Sequence, residues 1–332
     1  MTTVAVLGAG SWGTTLADLL ARKGETVRLW AYEPDVVESV NREHRNPVFL
    51  PQAELSPALR AFADPVEAVQ DAEVVVSVIP SHAVRSVVRR LPTAVAPGVL
   101  VVSATKGIEA DSLKLMSQVL EETLRTPRVA VLSGPSFAEE VLANQPTAVV
   151  AAARDLATAA AVQQIFATPR FRVYSNQDMV GVELGGALKN VIAIAAGILE
   201  GLGLGNNPRA ALITRGLAEM TRLGTAMGAD PLTFAGLAGM GDLVLTTCGA
   251  LSRNRALGLA LAKGQSLSEY NAAHRSVAEG ANTARAAMKL AERHGVELPI
   301  TEQVWAMLYE GKPPKQAVAD LMERTLKPEL WR

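Results

Sequence analysis

The sequence predicts two domains: an α/β half built on a parallel sheet covered on both faces, followed by an all-helical half. Three observations predict this. The chain has 332 residues, enough for two cores at about 150 residues per domain. From Thr3 onward, short β-branched runs alternate with helical segments, the pattern of strands joined by crossover helices. Beyond about residue 176 the β-branched runs stop and helical periodicity takes over. The expected domains are therefore 1–176 and 177–332, joined by a change of pattern with no flexible linker. The cleft between them is the expected active site.

The expected strands are Val4–Leu7, Val27–Trp30, Val74–Ile79, Val99–Ser103, Val129–Leu132 and Ala148–Ala151, with helices at Trp12–Lys23, Pro34–Asn46, Ala83–Arg90 and Leu113–Leu124. In the second half the helical stretches are Asp178–Glu200, Arg209–Met227, Leu232–Gly236, Arg253–Lys263, Ser266–Ala273, Thr283–Arg293 and Thr301–Tyr309. The run from Met179 to Leu204 is apolar enough to suggest a membrane span. Glu183, Lys189, Asn190 and Glu200 interrupt it, so it reads as the buried helix of a soluble protein.

Composition narrows the class further. Thirty-two basic residues against 33 acidic give a net charge of −1, with 49% apolar residues. A disordered polyelectrolyte and a chain drawn to nucleic acid over its whole surface are both excluded. The lone cysteine, Cys248, suits a reducing cytosol and is expected to be a small half-buried side chain. The opening MTTVAVLGAG has no basic n-region and enters an apolar run at once. It reads as a first strand of a chain starting there, and not as a signal peptide.

The first chemical motif is Gly8-Ala9-Gly10-Ser11-Trp12-Gly13, a G-x-G-x-x-G between the first strand and first helix. Gly8 allows the tight turn, Gly10 lets a pyrophosphate approach the backbone, and Gly13 lets helix pack on strand, while the helix N-terminus favours phosphate. On strand–turn–helix at the start of a βαβ unit, this pattern signals a dinucleotide site. An acid that would hold the ribose hydroxyls of NAD is expected at Ala31, and Glu33 comes two residues late. NADPH is therefore expected to be accepted, and NADH with it. Tyr32 would stack on adenine, and Arg42 or Arg45 would meet a 2′-phosphate unless each is a solvated helix-end charge.

Later strand ends add candidates. Pro80-Ser81-His82 places a turn over the expected nicotinamide region, where His82 reads as structural more readily than as a proton donor. Ala104-Thr105-Lys106-Gly107 delivers Lys106 to the same crevice. In Ser133-Gly134-Pro135-Ser136, Ser136 reads as an N-cap with Glu139 in the capping-box position. That helix N-terminus also suits a phosphate or a polarised oxygen.

In the second half, Lys189 stands mid-helix with Gly185 and Gly186 before it and Ala193 and Ala196 after it. Two mid-helix glycines cost about 1 kcal/mol each relative to alanine, and close approach of a ring or substrate to the helix would offset that cost. Burial would depress the lysine pKa towards neutrality, where it can exchange a proton. The plainer reading is a snorkelling lysine, or one paired with Glu183; Asn190 is placed to hold it. Gly239-Met240-Gly241-Asp242-Leu243 ends a glycine-rich turn in a carboxylate, unless Asp242 is only a helix cap. Ser252-Arg253-Asn254-Arg255 follows, with Ser252 as N-cap and the Arg253 fork suited to a phosphate dianion. Val277-Ala278-Glu279-Gly280 carries no reading of its own.

These motifs together resemble the bacterial NAD(P)-dependent glycerol-3-phosphate dehydrogenase family over nearly the whole chain, including Leu184-Gly185-Gly186-Ala187-Leu188-Lys189-Asn190 and Ala211-Leu212-Ile213-Thr214-Arg215-Gly216. The resemblance implies an N-terminal Rossmann domain and an all-α C-terminal domain like that of 6-phosphogluconate dehydrogenase. The activity it implies is reversible hydride transfer between NAD(P)H and dihydroxyacetone phosphate, giving sn-glycerol 3-phosphate for phospholipid synthesis by a cytoplasmic homodimer with no metal. By the same resemblance Lys189 is the catalytic acid/base. Gly8, Gly10, Ser11, Trp12, Gly13, Tyr32, Lys106, Ala138, Arg253, Val277 and Glu279 would bind cofactor. Lys106, Gly134, Ser136, Lys189, Asp242, Ser252, Arg253 and Asn254 would bind substrate. The family often has a basic or histidine side chain where Tyr32 stands. The alternatives are a related two-domain reductase of another hydroxy acid or sugar phosphate, and a nucleotide-sensing protein without catalysis.

Overall fold

The computed structural model describes every residue except 92–94, 126–127, 275–277 and 330–332. Eight strands form one sheet: β1 (Thr3–Leu7), β2 (Thr26–Trp30), β3 (Arg60–Phe62), β4 (Val74–Ser77), β5 (Leu100–Ser103), β6 (Val129–Ser133), β7 (Thr147–Ala153) and β8 (Phe171–Asn176). Their order is β3-β2-β1-β4-β5-β6-β7-β8. β1 pairs in parallel with β2 on one side, Thr3 opposite Thr26, and with β4 on the other, Val4 opposite Val74. The order reverses across β1, so a crevice opens beyond the carboxyl ends of β1 and its neighbours, where such sheets bind ligands.

The sheet departs from the expected parallel one at β7, which runs antiparallel to β6 with Ala130 opposite Ala153. Two strands escape the sequence reading. β3 has only three residues, and β8 alternates buried Phe171 and Val173 with exposed Arg172 and Tyr174, so polar residues interrupt its apolar run. Element ends also shift. The helix expected to reach Asn46 stops at Glu43, because His44 takes a left-handed φ of 54°. Asn46 is instead buried, its amide donating to Ala9 O at 2.8 Å and Thr14 Oγ1 at 2.9 Å, which fastens this segment to the glycine loop. The helix expected from Leu113 starts at Met116, since Leu113 has a φ of 62°.

From Met179 onward the elements are helices. Met179–Gly201 is capped by Asp178, whose carboxylate accepts from Gly181 N at 2.8 Å. Around it stand Asn206–Ala226, Arg253–Ala262, Glu279–His294 and Pro299–Tyr309. The apolar run is thus the central helix of the second half and almost wholly buried. Helices Asp242–Cys248 and Pro314–Met322 were not anticipated; Leu156–Phe166, in the first half, was also missed. Cys248, expected half-buried, is exposed at the end of its helix.

The two halves share side chains. Met179, Val182 and Ala238 pack into the core on one sheet face, while Ile108, Leu113 and Leu115 pack into the helical core. Glu183, read as a partner for Lys189, instead accepts from Ser117 N at 2.8 Å and from its hydroxyl at 2.5 Å, across the halves. Burial pushes the Glu183 carboxyl up to about 7.

The central helix and Arg253–Ala262 cross backbone to backbone. A Cβ on Gly258 would lie 2.0 Å from Ile194 O, and one on Gly197 would lie 2.0 Å from Arg255 O. Gly258→Ala is expected to cost about 2–3 kcal/mol and lower the Tm by roughly 5–10 °C. Gly205→Ala, with nothing within 4 Å of its Cβ, serves as the control. Equal melting temperatures for the two variants would show that the crossing tolerates a methyl group.

Candidate active site

The cleft at the carboxyl ends of the strands has a volume of about 720 Å³. Its floor is the glycine loop, and each glycine has a separate steric reason. A Cβ on Gly8, whose φ is +112°, would meet Val78 O at 2.8 Å, and one on Gly13 would sit 1.8 Å from Gly8 O. Above Gly10 there is open space with nothing within 4 Å. Gly10 is also the N-cap of helix Ser11–Lys23 and supplies no side-chain cap, so backbone N–H groups face that space as an anion site requires. Trp12 Nε1, on the cleft wall, is buried with no protein partner. A dinucleotide pyrophosphate fits this cradle.

Ser11, Trp12, Tyr32, Lys106, Ser136, Ala138, Lys189, Ser252, Arg253, Asn254 and Glu279 all line the cleft with Gly8, Gly10 and Gly13. Gly134 and Asp242 do not line it; they stand behind the lysines as their partners. Val277 lies outside the described residues.

The centre of the site is a buried carboxylate between two ammonium groups. Lys106, delivered by the end of β5, donates from Nζ to Asp242 Oδ2 at 2.6 Å and to Gly134 O at 2.8 Å. Lys189, on the central helix, donates to Asp242 Oδ1 at 2.6 Å and to Thr246 Oγ1 at 2.7 Å. Asp242 is 1% exposed and Lys189 6%. An ammonium has three N–H donors, so each lysine keeps one free of these bonds. Burial pulls Lys189 down to about 7. The Asp242 carboxylate opposes this, and the nearby Lys106 adds to it.

Several expected roles change. Asp242 is no helix cap: it lies in the first turn of Asp242–Cys248, and its oxygens take the two lysines. Thr246, one turn later on that helix, was missed, because without the helix the i, i+4 spacing of Asp242 and Thr246 had no meaning. Asn190 does not hold Lys189. Its amide donates to Gly186 O at 3.3 Å, and its oxygen accepts from Asn254 at 2.9 Å. Asn254 Oδ1 in turn accepts from Gly280 N at 2.9 Å, which leaves it one amide hydrogen for a ligand. Gly185 and Gly186 do not open the helix to a ring: their Cβ atoms would meet Ala238 O at 2.5 Å and Ser133 Oγ at 2.6 Å.

Ser136 caps no helix. The helix there is Ala138–Leu142 with Phe137 before it, and the Ser136 hydroxyl donates to Gly134 O at 3.0 Å. Ser252 does cap Arg253–Ala262, accepting from Arg255 N at 3.2 Å. The Arg253 guanidinium is open to the cleft, yet protein crowds it enough to lower its pKa by desolvation, with Glu279 opposing. It stays a cation and makes no side-chain hydrogen bond or ion pair with a described residue. Glu279 is already committed: it accepts from Ser81 N at 2.9 Å and from the Ser81 hydroxyl at 2.5 Å, which fixes the turn after β4 against the helical half. Phe49 was missed although it lines the cleft, its carbonyl accepting from the Ser11 hydroxyl at 2.9 Å. Nothing in its sequence neighbourhood marks it. Arg42 pairs with Glu38 at 2.8 Å, and neither Arg42 nor Arg45 lines the cleft. The cations expected to receive a 2′-phosphate are therefore absent from it.

Comparison with known proteins places this architecture. Residues 3–159 match the N-terminal family model of NAD-dependent glycerol-3-phosphate dehydrogenase, and residues 178–319 match the C-terminal one. The chain is 58% identical to glycerol-3-phosphate dehydrogenase [NAD(P)+] of Geobacter sulfurreducens, with 99% of each chain covered. It is 54% identical to the protein of that name from Nitratidesulfovibrio vulgaris strain Hildenborough, covering 98% of this chain and 99% of that one. The crystal structure of glycerol-3-phosphate dehydrogenase from Coxiella burnetii superposes with a TM-score of 0.93 at 43% identity, covering 97% of this chain and 99% of that one. The chain belongs to the NAD-dependent glycerol-3-phosphate dehydrogenase family.

Proposed function

We propose that Lys189 is the acid/base of a reversible reduction of dihydroxyacetone phosphate to sn-glycerol 3-phosphate, carried out in the cleft between the sheet and the helices. Family membership makes the chain an NAD(P)-dependent oxidoreductase acting on a CH–OH group. The observation that carries the assignment is a single buried lysine that lines the cleft, is held on two sides, and has one N–H left to give.

Bound NAD(P)H supplies the hydride; the chain supplies everything else. As C2 is reduced, negative charge grows on its oxygen, where the free N–H of Lys189 stabilises it and then delivers the proton. In the oxidative direction neutral Lys189 takes that proton. Lys106 adds a second positive charge to the same region. Asp242 keeps both ammonium groups from turning away, so little reorganisation is needed at the moment of reaction. Arg253, at the entrance to its helix and without a side-chain partner among the described residues, is placed for the substrate phosphate beside the Ser252 hydroxyl and the last amide hydrogen of Asn254. Binding at the phosphate then orients C2. Residues 1–176 act as the nucleotide domain and 177–332 as the substrate domain. The exposed, unpaired Cys248 suits a reducing cytoplasm, where the same reading has the chain work as a homodimer.

Lys189→Ala is expected to lower kcat on the order of 10²-fold or more while leaving NADH binding intact. Near-normal kcat would remove Lys189 from the chemistry. The pH dependence follows from a lysine held near 7. Reduction needs the protonated form, so its kcat falls as pH rises through about 7; oxidation needs the neutral form, so its kcat falls as pH drops through the same value. Stopped-assay profiles in both directions check this, and parallel profiles would contradict it. Arg253→Ala is expected to raise KM for dihydroxyacetone phosphate with a much smaller effect on unphosphorylated dihydroxyacetone. Equal weakening of both substrates would show that Arg253 does not read the phosphate.

A further inference from the structure

The end of the cleft formed by β2 carries information that the [NAD(P)+] description of the relatives leaves open. In this fold the residues just after the second strand face the adenosine ribose, where an acid favours its hydroxyls and an arginine accommodates a 2′-phosphate. Here Gly8 N donates to Trp30 O at 3.1 Å, so the glycine loop lies directly against the end of β2. Tyr32 and Glu33 then line the cleft.

Glu33 occupies the N-cap position of helix Pro34–Glu43 but does not cap it. Asp64 and Asp230 do cap helices that likewise begin with proline, each accepting from the second helical N–H, whereas Glu33 makes no such bond. The Glu33 carboxylate makes no hydrogen bond or ion pair with a described residue and is half-buried at the cleft wall. It stands two residues past Ala31, where dinucleotide folds place their ribose acid, yet it still lines the cleft.

The nearby cations are committed elsewhere. Arg28 donates to Gln70 O at 2.7 Å and stands over the Phe62 ring at 5.7 Å. Arg42 is paired with Glu38, and Arg45 does not reach the cleft wall. Lys106, Lys189 and Arg253 do line it, but belong to the reacting end. His82 comes from the turn after β4, on the other side of β1. A 2′-phosphate at the β2 end would face a carboxylate with no described lysine or arginine to offset it.

We propose that Glu33 makes this chain select NADH over NADPH, by accepting from the adenosine ribose hydroxyls and repelling a 2′-phosphate. The proposal rests on the cleft being the NAD(P)H site of the reaction proposed above. Its test is direct binding without substrate: titration of the intact chain with NADH and with NADPH, read by nicotinamide fluorescence, followed by kcat/KM for each with dihydroxyacetone phosphate. NADH is expected to bind about tenfold tighter or more. Glu33→Gln is expected to shrink that ratio by weakening NADH and tightening NADPH, and Glu33→Arg to reverse it. Tyr32→Ala is expected to weaken both dinucleotides by a similar factor. Retained NADH binding by the Gln variant doubles as evidence that it folds. Equal or tighter NADPH binding by the unaltered chain overturns the proposal, as does a ratio that Glu33→Gln leaves unchanged. Failure of both dinucleotides to bind would overturn the cofactor site itself. Clear binding without turnover would count only against the proposed reaction.

Discussion

Asp242 is one carboxylate holding two ammonium groups, and those groups come from different halves of the chain: Lys106 from a strand end of the sheet and Lys189 from the central helix. Removing charges from water costs several kcal/mol per ion, and their mutual attraction offsets this only where the geometry and remaining hydrogen bonds are good. Here the bonds are short and supplemented by Gly134 O and the Thr246 hydroxyl. Yet two positive charges share one negative one. The group carries a net positive charge with both lysines protonated, and Lys189 is the more deeply buried of the two. The burial that docking imposes is what pulls Lys189 down to about 7, and the Asp242 carboxylate is what opposes it.

That docking has a packing requirement. For Asp242 to reach Lys189, the π-helical turn Leu237–Gly241 that leads into its helix must press against the central helix. Gly185 permits this, since any side chain there would collide with Ala238 O. Gly186 likewise lets Ser133 and the Lys106 stem approach. The helix-propensity cost of these glycines is offset by protein–protein contact, and the reactive geometry is a consequence of it. Glu279 and Ser81, and Glu183 and Ser117, add two further cross-half hydrogen-bonded pairs. The cleft walls are thus fixed at three separate places.

Much of this was legible in the sequence, and the illegible parts have a common cause. Strands β1, β2 and β4 to β7 announce themselves as β-branched runs, and the glycine loop as a pattern set between strand and helix. β3 and β8 do not, because an edge strand needs no continuous apolar run, and three residues are too few to show a period. Lys189 stood out because its neighbours are small and apolar. Its partners did not: the Asp242–Thr246 pair becomes visible only once those residues are known to be helical, and Asn190 lies beside Lys189 in sequence but turns to Asn254. Phe49 reaches the cleft through the buried Asn46 anchor, a long-range contact that no local pattern encodes.

The same distinction separates the two ends of the cleft. At the end proposed to react, charges come together from distant segments, Lys106, Lys189 and Asp242, and only the fold makes them neighbours. At the β2 end the relevant residues are consecutive, Tyr32 and Glu33, and the Glu33 carboxylate, which does not cap the helix that follows, lines the cleft. Among the described residues that line the cleft, lysine and arginine are thus found at the end proposed to hold the substrate and not at the β2 end, where the proposal puts the ribose. On the proposed reading, a ligand with anionic groups at its middle and a neutral ribose at its far end would be matched by the N–H groups above Gly10 and the carboxylate of Glu33, and that charge pattern favours one lengthwise orientation of the nucleotide.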